Sequence, residues 1–289
     1  MLEYQKSIQD IIKERTSWRT FEDKPISDNE RQEIEKLLTS TFEFNPFGGK
    51  NRFKLFDIPL EAKSSKQSYG TYGFIRGAQT YLLGACERST YDFESFGYSM
   101  EILILKLTEF NLGTCWLGGT FDQSSFSQAM QLEPNEFLPA ITPVGYKKSR
   151  RIKEMIIRTA IHAKKRFSWD HLFFCSDFTT PLNPEELDLY TYALEMVRLA
   201  PSARNLQPWR IIMQNDPPIF HFYSSQLDGS FIARHPNFHR MDLGIAVAHF
   251  DLTVRELHLS GYWVIDEPHF SDNSENPLQY VISWQAAEI

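Results

Sequence analysis

Arg15, Ser17 and Arg19 stand two residues apart in the run RTSWRTF near the start of the chain. Guanidinium groups grip phosphate through charge-assisted, often bidentate bonds, and a hydroxyl between them adds a neutral donor. Arg15 and Arg19 are spaced by one helical turn, so two arginines closing a helix and favouring its dipole are the plain alternative. A second set lies in APSARNLQPW (200–209). Two prolines stiffen this loop, and Ser202, Asn205 and Gln207 offer donors and acceptors suited to a heteroaromatic ring. The plain alternative is a helix-to-strand turn. A third set, NLGTCWLGG (111–119), ends in Gly118 and Gly119. Paired glycines let backbone amides approach a ligand closely, or simply form a turn. Cys115 in the same run is a weak nucleophile candidate, with no histidine beside it and nothing to lower its pKa. The basic run Lys147–Arg151 could add phosphate contacts, although such runs are ordinarily solvated.

These residues need elements to hold them. Ile8, Ile11 and Ile12 predict a short amphipathic helix over 4–14. Ser27 and Glu30 have capping-box spacing ahead of Ile34, Leu37 and Leu38. Strands are expected at 53–60 and 78–87, and a buried helix at 97–110. The segment 143–154 reads as a strand turning into a basic surface helix. Residues 162–180 have no clean period and read as a connection. Asn183 and Pro184 start another helix, lined by Leu187, Tyr190, Leu194 and Val197. Strands at 209–214 and 218–224, a second buried helix at 242–258 and a strand at 279–285 complete the chain.

The chain has 289 residues, 42% hydrophobic, 23% charged and 14% aromatic, with a formal net charge of -7 and a pI near 5.7. That composition builds a core and excludes a disordered, collagen-like or disulfide-stapled chain. An acidic balance disfavours general nucleic-acid binding, which needs many neutralised phosphates. Cys86, Cys115 and Cys175 are far apart, without CxxC spacing, which speaks against a disulfide framework or a zinc knuckle. No apolar leader and no membrane-length run is seen, so a cytoplasmic protein without membrane or nucleic-acid partners is expected.

The order of elements invites a self-comparison. A shift of 147 residues superposes Gly97 on Gly244, Leu105 on Leu252, Glu109 on Glu256, Leu112 on Leu259 and Trp116 on Trp263. A shift of 155 pairs Pro46 with Pro201. Any two amphipathic helices match to some degree, but the shared order of helix, Pro-rich turn, strand, central helix and Trp favours a duplicated unit.

Taken together, RTSWRTF, NLGTCWLGG, PVGY and APSARNLQPW resemble the FMN-dependent nitroreductase superfamily, in the tandem form of the Putative TM nitroreductase family. Members of the superfamily are homodimers with FMN sites built from both subunits. Here the arginine–serine motif lies in the first half, where TFEFNPFGGKN replaces the PSxxN loop. That loop lies in the second half, which lacks the arginines and carries HLSGYWVID where GTCWLGG would stand. The losses are complementary. The resemblance therefore implies an α+β nitroreductase-like fold of two tandem half-units forming an intramolecular pseudo-dimer. Each half-unit would be a central antiparallel or mixed sheet flanked by helices. Boundaries are expected at 1–165 and 178–289, with 166–177 as the connection and further association of chains left open.

The resemblance also implies roles. Arg15, Ser17 and Arg19 would contact the FMN phosphate and ribityl chain, with Arg150 or Arg151, and Lys148 as a further candidate, completing the phosphate site. Leu117, Gly118 and Gly119 would present backbone to the flavin N5 edge. Pro201, Ser202, Ala203 and Asn205, from the opposite half, would line the isoalloxazine of the one surviving site. Thr16 stands where the family often has another arginine. No catalytic side chain and no metal is expected; hydride from NAD(P)H would pass through flavin N5 to a nitroaromatic, quinone or similar small-molecule acceptor. This agrees with the absence of a His/Asp or Cys/His constellation, the eight histidines, His235 and His239 included, reading as structural or surface residues. A non-catalytic flavin-binding or storage protein with a degenerate second site is the alternative, and a chain that has lost flavin altogether is the third.

Overall fold

The computed structural model describes residues 3–40, 45–59, 69–225, 237–268, 270 and 278–287. His235 and Leu60 lie outside the described residues. The chain divides into two compact units, Met1–Ile161 and His162–Ile289. Each is a mixed helix-and-sheet body, as the α+β expectation requires.

In the first unit, helix α1 (Ile8–Glu14) buries Ile8, Ile11 and Ile12. Helix α2 (Asp28–Ser40) starts at the expected capping box: the Glu30 amide donates to Ser27 Oγ at 3.3 Å and the Ser27 amide returns to Glu30 Oε2 at 3.1 Å. Strand β1 (Asn51–Asp57) pairs antiparallel with β2 (Thr80–Glu87) along its whole length. The other edge of β2 carries β3 (Glu136–Phe137) and β4 (Ile141–Val144). Beyond β4, single bridges join Leu117 to Ile141 and Gly113 to Gly145. Helix α3 (Asp92–Glu109) lies against this sheet, apolar almost all round and buried from Asp92 through Thr108 save Phe93. Helices α4 (Gln123–Met130) and α5 (Ile152–Ala160) complete the unit. Phe126 of α4 packs edge-on to Phe121 in the core and lies tilted against Tyr81.

The second unit begins with the short helix α6 (Trp169–Leu172), which runs into β5 (Phe173–Cys175). The stretch expected to be only a connection thus contains a strand, paired parallel to β6 (Trp209–Gln214). Its partner is remote in sequence, so no local period announces it. The expected helix after Asn183 is broken. Asn183 caps a short 3₁₀ turn, Asp188 takes φ +47°, and helix α7 runs only over Tyr190–Leu199. Strands β7 (Ile219–Ser224), β8 (Gly261–Val264) and β9 (Gln279–Ala286) extend the sheet in the order β5-β6-β7-β9-β8. Helix α8 (Asn237–Glu256) starts earlier than the apolar pattern indicates and buries Leu243, Val247 and Phe250.

The two units share internal detail. The first runs β1-β2-β4 and then 113–117; the second runs β6-β7-β9 and then β8. Helix α3 closes with Asn111 at φ +60°, its amide on Thr108 O and the Leu112 amide on Leu107 O. Helix α8 closes with His258 at φ +57°, its amide on Arg255 O and the Leu259 amide on Val254 O. These are two Schellman caps, separated by 147 residues, the shift that aligns Trp116 with Trp263. Next, Trp116 donates its indole N–H to buried Glu101 of α3 at 2.7 Å, and Trp263 to buried Asp251 of α8 at 2.7 Å. Among the described residues no helix is long and apolar enough to cross a membrane.

Candidate functional site: an arginine cluster and a pinned loop

The first unit places its candidates on a strap. Helix α1 ends at Glu14, so Arg15–Arg19 are not on a helical turn as their spacing allowed. Trp18 N bonds Thr114 O at 2.7 Å, Arg76 N bonds Arg19 O at 3.0 Å and Lys148 N bonds Thr20 O at 3.1 Å. Ser17 and Thr20 also form isolated parallel bridges with Thr114 and Arg76. Held this way, the strap sets alternate residues on a common side, which is how Arg15, Ser17 and Arg19 come together. Gly77 makes the close passage of the strap feasible: its φ is +86°, and a Cβ there would lie 2.2 Å from Phe21 O.

Arg15 ion-pairs with Glu101 at 3.6 Å, the side chains 7% and 0% exposed. Ser17 hydrogen-bonds the Cys115 thiol, and Cys115 lies in the field of Arg19 and Arg15. Burial dominates that field and pushes the Cys115 thiol up, so it is no nucleophile. Arg150 stacks over the Trp18 ring at 3.7 Å and donates to Glu154 at 3.1 Å. Arg151 donates to Thr20 Oγ1 at 3.4 Å. The expected basic helix is corrected here: α5 starts only at Ile152, because the backbone of Tyr146 and Lys148 is paired with the strap. Lys148 is exposed, and its carbonyl accepts the Trp18 indole N–H at 2.9 Å.

Three buried donor atoms here, Nε and Nη1 of Arg19 and Nη2 of Arg150, have no hydrogen-bond partner among the described residues. Buried guanidinium nitrogens are costly when unpaired. A phosphate oxygen cluster is the group that would satisfy them.

Sequence reasoning missed two members. Glu154, with its side chain 1% exposed, accepts from Arg150 and from Thr20 Oγ1. Arg158 donates to Thr16 Oγ1 at 3.0 Å and Ser17 O at 3.2 Å. Burial, then Arg150 and Arg19, hold its guanidinium below the ordinary arginine range. The available signal was the spacing of Arg150, Glu154 and Arg158 by four residues. Leu117 exchanges both backbone bonds with Ile141, each at 3.0 Å, so its amide and carbonyl serve the sheet. Gly118 and Gly119 follow it in a bend, Gly118 half-buried and Gly119 exposed.

The second unit holds the other loop. Pro201 and Ser202 lead into a 3₁₀ turn, Ala203–Asn205, with Arg204, Asn205 and Gln207 all at positive φ. Ser202 Oγ accepts from Gln207 N at 2.9 Å. The Asn205 side chain is committed to its own unit. Its amide donates to His162 O at 2.9 Å and Lys165 O at 2.8 Å, and its Oδ1 accepts from Arg166 at 3.2 Å. The loop is anchored on α8, where the Ala203 amide donates to both oxygens of Asp242, at 3.0 and 3.1 Å. Asp242 was also missed, an acid inside an apolar helix. The corresponding position of the first unit, 147 residues earlier, is Ser95, which accepts from Asn45. His239, expected to be structural or at the surface, is buried, and burial lowers its pKa.

Burial raises the Asp242 carboxyl well above the ordinary aspartate range, against the Ala203 amide, which lowers it. A raised acid contributes stability below its unfolded-state pKa and loses it as pH rises through the folded one. Asp242→Asn, which keeps the acceptor for Ala203, should therefore be more stable than wild type near pH 8. That advantage should fade toward pH 4. Thermal unfolding of both proteins across pH checks this; a gap that does not vary with pH would refute it.

Sheets flanked by helices in both units define the chain as an α+β protein. Residues 7–254 match the model of the family described as Putative TM nitroreductase, and the chain belongs to that family. A crystal structure of a putative nitroreductase from Thermotoga maritima shares the fold, with a TM-score of 0.58 and 20% identity over 99% of this chain and 96% of that one. A putative nitroreductase from Desulfovibrio desulfuricans in complex with FMN is 20% identical over 53% of this chain and 96% of its own, at a TM-score of 0.40. Iodotyrosine deiodinase bound to FMN and 3-iodo-L-tyrosine is 19% identical over 50% and 91%, at 0.39. No curated protein matches the chain.

Proposed function

We propose that the protein is an FMN-dependent oxidoreductase of nitroreductase type, using NAD(P)H as co-substrate. Family membership supports the class, and the unpartnered nitrogens of Arg19 and Arg150 carry the cofactor reading. The guanidiniums of Arg15 and Arg19 on the strap, of Arg150 and Arg151 before α5 and of Arg158 on it suit a phosphate terminus. When bound, FMN supplies hydride transfer between NAD(P)H and a small acceptor such as a nitroaromatic or quinone. The protein's part is binding and orientation. Arg19 and Arg150 would hold the phosphate, with Arg15 kept in place by Glu101, and Trp18 braces Arg150. Gly118 and Gly119 are the backbone groups proposed for the flavin edge.

The two units are proposed to be copies of one ancestral half-site, a reading supported by their shared strand order and caps. The arginines occur in one copy and the Pro201–Asn205 loop in the other, so about one FMN per chain is expected, not two. On this reading Pro201, Ser202, Ala203 and Asn205 line the isoalloxazine of that flavin. Asn205→Ala frees three hydrogen bonds that shape the loop. It should weaken flavin binding by roughly tenfold, about 1.4 kcal/mol. Two flavins per chain, or an Asn205→Ala protein that binds FMN as wild type does, would sink this model.

The deciding experiment is the absorption spectrum of the purified protein, before and after anaerobic NADH or NADPH. A flavin spectrum that bleaches supports the oxidoreductase. Flavin that neither nucleotide bleaches favours a storage or sensing role. A colourless protein that takes up no FMN overturns the cofactor reading.

A further inference from the structure

We infer that Arg158 is a specificity-determining residue that makes the cluster select the dianionic end of a phosphate monoester over an uncharged hydroxyl end. The inference rests on the reading that flavin binds at this cluster. It comes from the pairing of charges. Of the five guanidiniums at the strap, Arg15 is ion-paired with Glu101 and Arg150 with Glu154. Arg19, Arg151 and Arg158 have no carboxylate within ion-pair distance among the described residues. An excess of positive charge therefore remains around the strap, Arg19 and Arg158 acting on each other. A phosphate monoester loses its second proton near pH ~6 and carries about two negative charges at neutral pH, which matches that excess.

Arg158 reaches the strap from a remote element. It lies on α5 four residues after Glu154, the acid that pairs with Arg150. Arg150 meets the strap at Trp18 and Arg158 meets it at Thr16 and Ser17. Helix α5 thus adds charge to a motif whose own residue 16 is an uncharged threonine. The unpartnered Arg19 nitrogens give that charge a place to act.

The test compares wild type, Arg158→Gln and Arg158→Lys. Glutamine still bonds Thr16 but removes the charge; lysine keeps the charge. FMN and riboflavin, which differ only in the phosphate, are titrated against each protein by flavin fluorescence. Arg158→Gln should lose about tenfold in FMN affinity, with riboflavin unchanged, and Arg158→Lys should keep most of the preference for FMN. Inorganic phosphate should raise the melting temperature of wild type and Arg158→Lys, and raise that of Arg158→Gln less. Equal losses for both flavins would make Arg158 a strap brace only and overturn the inference, as would no change in either. A wild type that takes up no flavin overturns the proposed function instead. The phosphate comparison then decides on Arg158 alone, an equal shift in all three proteins overturning its role.

Discussion

Arg19→Ala is expected to weaken FMN binding ten- to a hundredfold while leaving the ligand-free protein at least as stable as wild type. The two halves of that result have one cause. Nε and Nη1 of Arg19 are buried without partners among the described residues, and an unsatisfied buried donor costs about 1–3 kcal/mol. Truncation relieves this cost in the empty protein. In the bound protein it deletes charge-assisted contacts worth roughly 1.5–3 kcal/mol, which converts to the stated loss at about 1.4 kcal/mol per decade. Fluorescence titration of FMN gives the first number and thermal unfolding the second. An Arg19→Ala protein that binds FMN with wild-type affinity would remove Arg19 from the site. One that melts well below wild type without ligand would mean that Arg19 is a structural residue.

Glu154→Gln should act in the opposite direction. Glu154 is the buried counter-charge on α5, accepting from Arg150 at 3.1 Å and Thr20 at 3.0 Å. Removing one partner of a buried pair costs about 3–5 kcal/mol, and the partial exposure of Arg150 places this case near the lower end, about 3 kcal/mol. For a unit of this size that is a fall in melting temperature of roughly 6–12 °C. The variant leaves the guanidiniums less compensated, so inorganic phosphate should recover more stability in Glu154→Gln than in wild type. Melting curves with and without phosphate check both points. A variant as stable as wild type, or one that phosphate does not help preferentially, would show that Glu154 does not balance the cluster.

The parts of this architecture legible from the sequence are those governed by local physics. The strand Trp209–Gln214, the capping box at Ser27 and Glu30, and the buried helix before Trp116 each rest on a period or spacing within a few residues. The 147-residue shift was legible too, and the Schellman caps at Asn111 and His258 are separated by the same offset that aligns the two tryptophans. The strap was misjudged. RTSWRTF permits a helical turn, and only its bonds to Thr114, Arg76 and Lys148, elements far along the chain, draw it out. Strand β5 was hidden for the same reason, since Phe173 is paired with Ile211.

For the candidate site, residue types were readable and their commitments were not. Arginine, serine and asparagine in those motifs bring donors and charge whatever the backbone does, because these are intrinsic to the side chains. Whether a donor is free is a property of the packed structure. Asn205 proves to be engaged with residues 162–166, Leu117 with Ile141 and Arg15 with Glu101, whereas Arg19 keeps unpartnered nitrogens. The sequence by itself determined the family, the α+β class and the residue types of the arginine–serine motif. Only the tertiary structure decided which guanidiniums remain uncompensated, because that balance is set by Glu101, Glu154 and Arg158, brought to the strap from about 90 to 140 residues away.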